Sequence, residues 1–90
     1  MSTVKDDLIA AKALIANPKK WIKYEPQRDD CFCTLGALGT ISPAGLHFQA
    51  VYDALPDGEV FISHFNDAPT TTHSDIMALF QRAIDAQGDA

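Results

Sequence analysis

The sequence predicts a mainly α-helical, compact single domain of four short helices, with at most one short two-stranded β-ribbon. Three observations predict it. Apolar residues recur at helical spacing near both ends of the chain, capping residues and prolines punctuate the intervals, and a run of small residues, Cys31-Phe-Cys-Thr-Leu-Gly-Ala-Leu-Gly39, lies between them. Ninety residues that are 47% hydrophobic suffice for one core, which in a chain of this size buries about 60–65% of the unfolded surface. Residues 1–90 therefore read as one helical domain, with a loose tail of two or three residues at the C-terminus.

Thr3 is placed to cap the first helix, with Asp6 at the third helical position, and Val4, Leu8, Ala11 and Ile15 then share one face. Asn17-Pro18 ends it. Trp21 to Glu25 is aromatic and β-branched between lysines and stops at Pro26, so an extended piece is expected there. Asp29 or Asp30 is an N-cap candidate for a second helix running from Cys31 to Ala37 or Leu38, closed by Gly39. A glycine inside a helix costs about 1 kcal/mol relative to alanine, so Gly36 implies close approach of another backbone.

Ser42-Pro43 pairs a capping hydroxyl with proline at the first helical position, and Leu46, Ala50, Val51, Ala54 and Leu55 form the buried stripe of a third helix before Pro56. Pro56-Asp-Gly58 is a turn. Glu59 to Phe65 is rich in β-formers and reads as a strand, with Val60, Ile62 and His64 on one face and Phe61, Ser63 and Phe65 on the other. Paired with residues 21–25, it would form the ribbon. Asn66-Asp67 and Pro69 break the chain, Thr72 with Asp75 caps a final helix carrying Ile76, Leu79, Phe80, Ala83 and Ile84, and Gly88 ends it.

The order of these features resembles a family of small uncharacterised proteins of bacteriophages and bacteria, especially actinobacteria. The pieces that carry the resemblance are Pro18 with Trp21, Cys33-Thr-Leu-Gly-Ala-Leu38, Phe65-Asn-Asp-Ala-Pro69, and Asp75-Ile-Met-Ala-Leu-Phe80 with Ala83 and Ile84. They span most of the chain. The resemblance implies packed helices and a phage or prophage origin, and it transfers no catalytic residue.

Charge and cysteine content narrow the function classes. A net charge of −5 argues against general nucleic-acid binding, since affinity for phosphate backbones comes mainly from clustered lysine and arginine, and no direct sequence-specific contact with nucleic acid is expected. The basic residues are nevertheless grouped: Lys19, Lys20, Lys23 and Arg28 surround Trp21 and Tyr24, whereas Asp53, Asp57, Glu59, Asp67, Asp75, Asp85 and Asp89 make the C-terminal half acidic. Lys19, Lys20, Lys23, Tyr24 and Arg28 are therefore the candidate partner-binding residues. No apolar run approaches the roughly 20 residues that cross a bilayer, and the acidic N-terminus does not resemble a secretory leader. A cytoplasmic protein of a bacterial host, without membrane contact, is expected.

Cys31 and Cys33 are separated by one residue, too close for an unstrained disulfide, so both are expected as free thiols. Two chemical arrangements stand beside the structural one. A cysteine nucleophile, Cys31 or Cys33, would use His64 as base with Asn66 or Asp67 to orient it; a zinc ion would draw Cys31, Cys33 and one or two of His47, His64 and His73. Against them, Cys33 suits a closely packed helix, the Cys-x-Cys spacing is short for zinc, and His73 at the start of the last helix suits the surface. Asn66 and Asp67 read as turn-forming side chains, with a ligand or partner contact at the mouth of the loop as the alternative, and Trp21 reads as a core anchor, with a small-ligand site near it as the alternative. The expectation is a non-enzymatic protein without cofactor or metal, a monomer or small homo-oligomer. It would bind a host or phage protein, or a ribonucleoprotein complex, as an inhibitor or modulator. An anti-defence protein such as an anti-CRISPR is the leading example.

Overall fold

The computed structural model describes residues 3–41 and 48–87. Helix α1 (Val4–Leu14) leads through a 3₁₀ turn at Pro18–Lys20 to a hairpin of β1 (Gln27–Arg28) and β2 (Cys31–Phe32). Helices α2 (Thr34–Ile41), α3 (Phe48–Asp53), α4 (Ile62–Asp67) and α5 (His73–Asp85) follow. The mainly helical class is as expected, although the described residues hold five α-helices rather than four.

The two long helices arise where the sequence places them, and both begin with a capping box. The Thr3 hydroxyl accepts from the Asp6 N–H (3.1 Å), and the Thr72 hydroxyl accepts from the Asp75 N–H (3.2 Å), so each cap satisfies amide donors that a helix start leaves without partners. Leu8, Ala11 and Ile15 of the first face and Ile76, Leu79, Phe80 and Ala83 of the last are fully buried. Helix α1 packs on α2 and α5, α2 also packs on α4, and α3 packs on α5. Ala37, Leu38, Val51, Ile62 and Phe65 complete the core between them. Lys12 Nζ donates to Gln81 Oε1 (2.9 Å), and Arg82 Nε donates to the Ala54 carbonyl (3.0 Å), tying α5 to α1 and to the end of α3.

Five expectations are corrected. Cys31 and Phe32 are strand, not helix: Arg28 faces Cys31 and Gln27 faces Phe32 across an antiparallel pair. Asp29-Asp30, read as the helix cap, is instead the two-residue hairpin loop, with Asp29 at φ 55°, a region that aspartate tolerates better than most residues. Gly39 does not close α2, which runs on to Ile41. Residues 62–67 form α4 where a strand was expected, because Ile62, Phe65 and Asn66 are buried at spacings of three and four, whereas His64 is exposed. The ribbon is therefore β1–β2, and residues 21–25 do not pair with residues 59–65. Trp21 alone is bridged, to Phe32 in parallel.

The turn at Pro56–Gly58 is present, with the Glu59 N–H donating to the Pro56 carbonyl (3.1 Å) and Gly58 at φ 89°. Ser42-Pro43, Leu46, His47, Gly88 and the C-terminal tail lie outside the described residues. The inference at Gly36 holds: a Cβ there would collide with the Pro26 carbonyl oxygen, so the segment before the hairpin lies directly on α2.

Candidate interaction surface

The segment between the 3₁₀ turn and the hairpin has little regular structure, so its backbone groups need partners from elsewhere. Helix α4 supplies them. Asn66 is 1% exposed, and its Oδ1 accepts from Trp21 Nε1 (2.7 Å), the Thr34 N–H (3.1 Å) and the Thr34 hydroxyl (2.8 Å). Its Nδ2 donates to the Ile22 carbonyl (3.1 Å) and to Asp67 Oδ1 (2.9 Å). One side chain thus fastens the Trp21 loop, the start of α2 and α4 together. Because an indole N–H can only donate, the atom facing it must be the amide oxygen, which fixes the orientation of the amide. Asn66 and Asp67 do satisfy backbone donors, but those of remote segments rather than of their own turn.

Asp67 holds the next turn of the loop. Its Oδ1 accepts from the Tyr24 N–H at 2.8 Å, and Tyr24 lies at φ 72°, a left-handed conformation that costs a bulky residue on the order of 1–3 kcal/mol. Tyr24 is 74% exposed, so its ring makes little packing contact in return. Two recesses open beside this loop and meet at Leu35 and Ser63. The smaller, about 160 Å³, is lined by Tyr24, Glu25, Pro26, Cys33, Leu35, Ser63 and Asp67. The larger, about 270 Å³, is lined by Leu35, Phe48, Gln49, Tyr52, Phe61, Ile62 and Ser63. Phe61 and its neighbour Val60 are each 56% exposed, and Tyr52 is 46% exposed.

The basic residues singled out in the sequence are largely engaged within the chain. Lys20 is paired with Asp30, and Arg28 Nη2 meets Glu25 Oε2 at 2.7 Å. Lys23 donates to the Ala68 carbonyl (2.6 Å) with its ammonium 5.5 Å from the centre of the Trp21 ring. Of the five candidate partner residues, Tyr24 and Lys19 have side chains without an ion pair or hydrogen bond among the described residues. Trp21 is the half-buried anchor expected, with its indole N–H committed to Asn66.

Neither thiol is hydrogen-bonded to a histidine among the described residues. Cys31 Sγ lies 3.3 Å from the Lys19 carbonyl oxygen and 3.7 Å from Asp30 Oδ1, and buried Cys33 accepts from the Gly36 N–H at 3.3 Å, acting as a cap for α2. His64 packs edge-on against Phe61 at 5.0 Å, and no hydrogen bond joins it to either cysteine among the described residues. No group of three or more His, Cys, Asp or Glu side chains among the described residues could hold a metal ion. His73 is not a simple surface residue: its Nε2 is 2.7 Å from the Ile15 carbonyl at the end of α1, and its ring is 6.1 Å from that of Trp21. Since a carbonyl only accepts, that nitrogen carries the proton.

Sequence reasoning missed Phe61 and Tyr52 as surface-forming residues. The signal for Phe61 was its place immediately before the Ile62, Phe65, Asn66 spacing, which puts an aromatic residue at the cap of α4 rather than inside a strand. No helix among the described residues is long and apolar enough to cross a membrane.

These features define a small, mainly helical domain with a β-hairpin, in which a strained loop and an exposed aromatic groove adjoin. The chain belongs to a family of unknown function, DUF6197, whose model matches residues 1–86. No curated protein and no solved structure matches it.

Proposed function

We propose that this protein is a non-enzymatic interaction module that binds a partner macromolecule through the face formed by Tyr24, Tyr52 and Phe61. The observation that carries the proposal is Phe61. It occupies the N-cap of α4 without any side-chain capping bond, where serine or aspartate would stabilise the helix by about 1 kcal/mol, and it is left half exposed beside an apolar groove. A residue that forgoes local stability in this way is explained by a contact outside the chain. Exposed tyrosine and phenylalanine around a groove are the composition of interface anchors.

The resemblance described above supplies the setting of the proposal. It is a phage- or prophage-encoded protein acting in the host cytoplasm on a host protein or ribonucleoprotein complex, with an anti-defence protein such as an anti-CRISPR as the leading form. The contact is assigned to Tyr24 and the aromatic groove rather than to the basic cluster, in which Lys23 is drawn onto Ala68 and Trp21.

Capture from host lysate tests this. The immobilised parent chain is expected to retain a defined protein that a Tyr52→Ser, Phe61→Ser variant of matching circular dichroism does not. Retention of nothing above the bare matrix, or identical retention by the variant, would overturn the proposal.

A further inference from the structure

The recess beside Tyr24, about 160 Å³, has the scale of one side chain; sites for drug-sized ligands run about 300–1,000 Å³. Its walls are one aromatic ring, Tyr24, and two carboxylates, Glu25 and Asp67, with Pro26 and Leu35 as apolar lining. No lysine or arginine lines it among the described residues. Lys23, adjacent in the chain, turns its ammonium onto Ala68 and Trp21 instead. Glu25 carries a surface pair with Arg28, a kind of contact worth about 0–1 kcal/mol and readily exchanged. Asp67 has no ion-pair partner among the described residues. Its Oδ1 accepts from Tyr24 and Asn66, which leaves Oδ2 without a donor there.

We propose that this recess binds a single arginine side chain of a partner protein, an inference that rests on the interaction module proposed above and names its contact chemistry. The planar guanidinium stacks on the Tyr24 ring, its forked donors meet the Asp67 carboxylate, and its aliphatic stem lies along Pro26 and Leu35. An ammonium would meet the charge but offers no plane to stack. Asp67 sets both walls at once, since the carboxylate that receives the guanidinium also holds the Tyr24 backbone in place. The recess joins the larger groove at Leu35 and Ser63, so an apolar residue next to the arginine falls against Tyr52 and Phe61.

The test is an NMR titration of the ¹⁵N-labelled chain with acetyl-Gly-Arg-Phe-Gly-amide and with the same peptide carrying citrulline, the neutral isostere of arginine. The arginine peptide is expected to shift the amides of Tyr24, Cys33, Leu35, Ser63 and Asp67 saturably. The citrulline peptide should bind at least about tenfold more weakly, as the loss of a charge-assisted hydrogen bond requires. Asp67→Asn keeps an oxygen to accept from the Tyr24 N–H and should reduce arginine-peptide binding to the citrulline level. Absence of a saturable shift, equal affinity for the two peptides, shifts confined to other acidic surfaces such as Asp53, Asp57 and Asp85, or full binding by Asp67→Asn would each overturn the proposal. Should Asp67→Asn fail to fold, the two peptides on the parent chain decide. Lysate capture that depends on Tyr52 and Phe61 is a separate readout, so the interaction module can stand where the arginine recess falls.

Discussion

Gly36 and Gly39 lie in the same helix, three residues apart, under opposite constraints. A side chain at Gly36 meets the backbone of Pro26, whereas no described atom lies within 4 Å of a Cβ at Gly39. Gly36→Ala should therefore lower stability by about 2 kcal/mol or more, and Gly39→Ala should raise it by about 0.5–1 kcal/mol through helix propensity and a less disordered unfolded chain. Denaturant midpoints of the two variants moving in the same direction would contradict this account. Gly36 was legible in the sequence because it violates helix propensity in an otherwise favourable segment. Asn66 was legible only as a turn former, since its partners Trp21 and Thr34 are 45 and 32 residues away, and local pattern carries no information about such pairs. Asn66→Leu should leave the Trp21 indole N–H, the Thr34 amide and the Ile22 carbonyl without partners. At about 1–3 kcal/mol for each buried group left unsatisfied, a loss of about 3 kcal/mol or more is expected, with a change in Trp21 emission. An unchanged emission spectrum and midpoint would show that the clamp contributes nothing.

Among the elements, the starts of α1 and α5 were legible to the residue because capping boxes and apolar spacing agree with each other. Helix α4 and the hairpin were not. Glu59 to Phe65, with Val60, Phe61, Ile62 and Phe65, satisfies a strand pattern as well as a helical one, and strand preference is a weak guide that packing overrides. What selects the helix is burial of Ile62, Phe65 and Asn66 against the α2 side of the core, information held by the rest of the chain. In the hairpin, Asp-Asp serves equally as a cap or as a tight turn. The cap of α2 came instead from the Cys33 sulfur and from Asn66 of α4. The missing cap of α4 yields a prediction: Phe61 already has the extended backbone of a cap residue (φ −134°, ψ 132°), so Phe61→Asp should match or exceed the parent in stability, a capping gain of about 1 kcal/mol offsetting the lost ring contact with His64. The same variant should lose partner capture. A clear drop in thermal midpoint would mean that Phe61 is retained for folding, and would remove the observation on which the functional proposal rests.

At the scale of the whole molecule, the sequence divides into a basic segment and an acidic C-terminal half, and either could steer a charged partner. Folding changes their weights. Lys20 is neutralised by Asp30, Arg28 by Glu25, and Lys23 is drawn onto Ala68 and Trp21, whereas Asp67 remains without a counter-ion among the described residues. With a net charge of −5, the long-range field favours approach of a cationic surface, and such steering fades as the Debye length falls to about 10 Å at 0.1 M salt. Association with the captured partner should therefore slow as salt is raised, with a smaller change in dissociation rate. A Lys19→Ala, Lys20→Ala variant, which makes the surface more negative, should associate at least as fast as the parent at low salt. Association slowed by that variant, with folding intact, would return the interface to the basic segment and take the contact away from the recess between Tyr24 and Asp67.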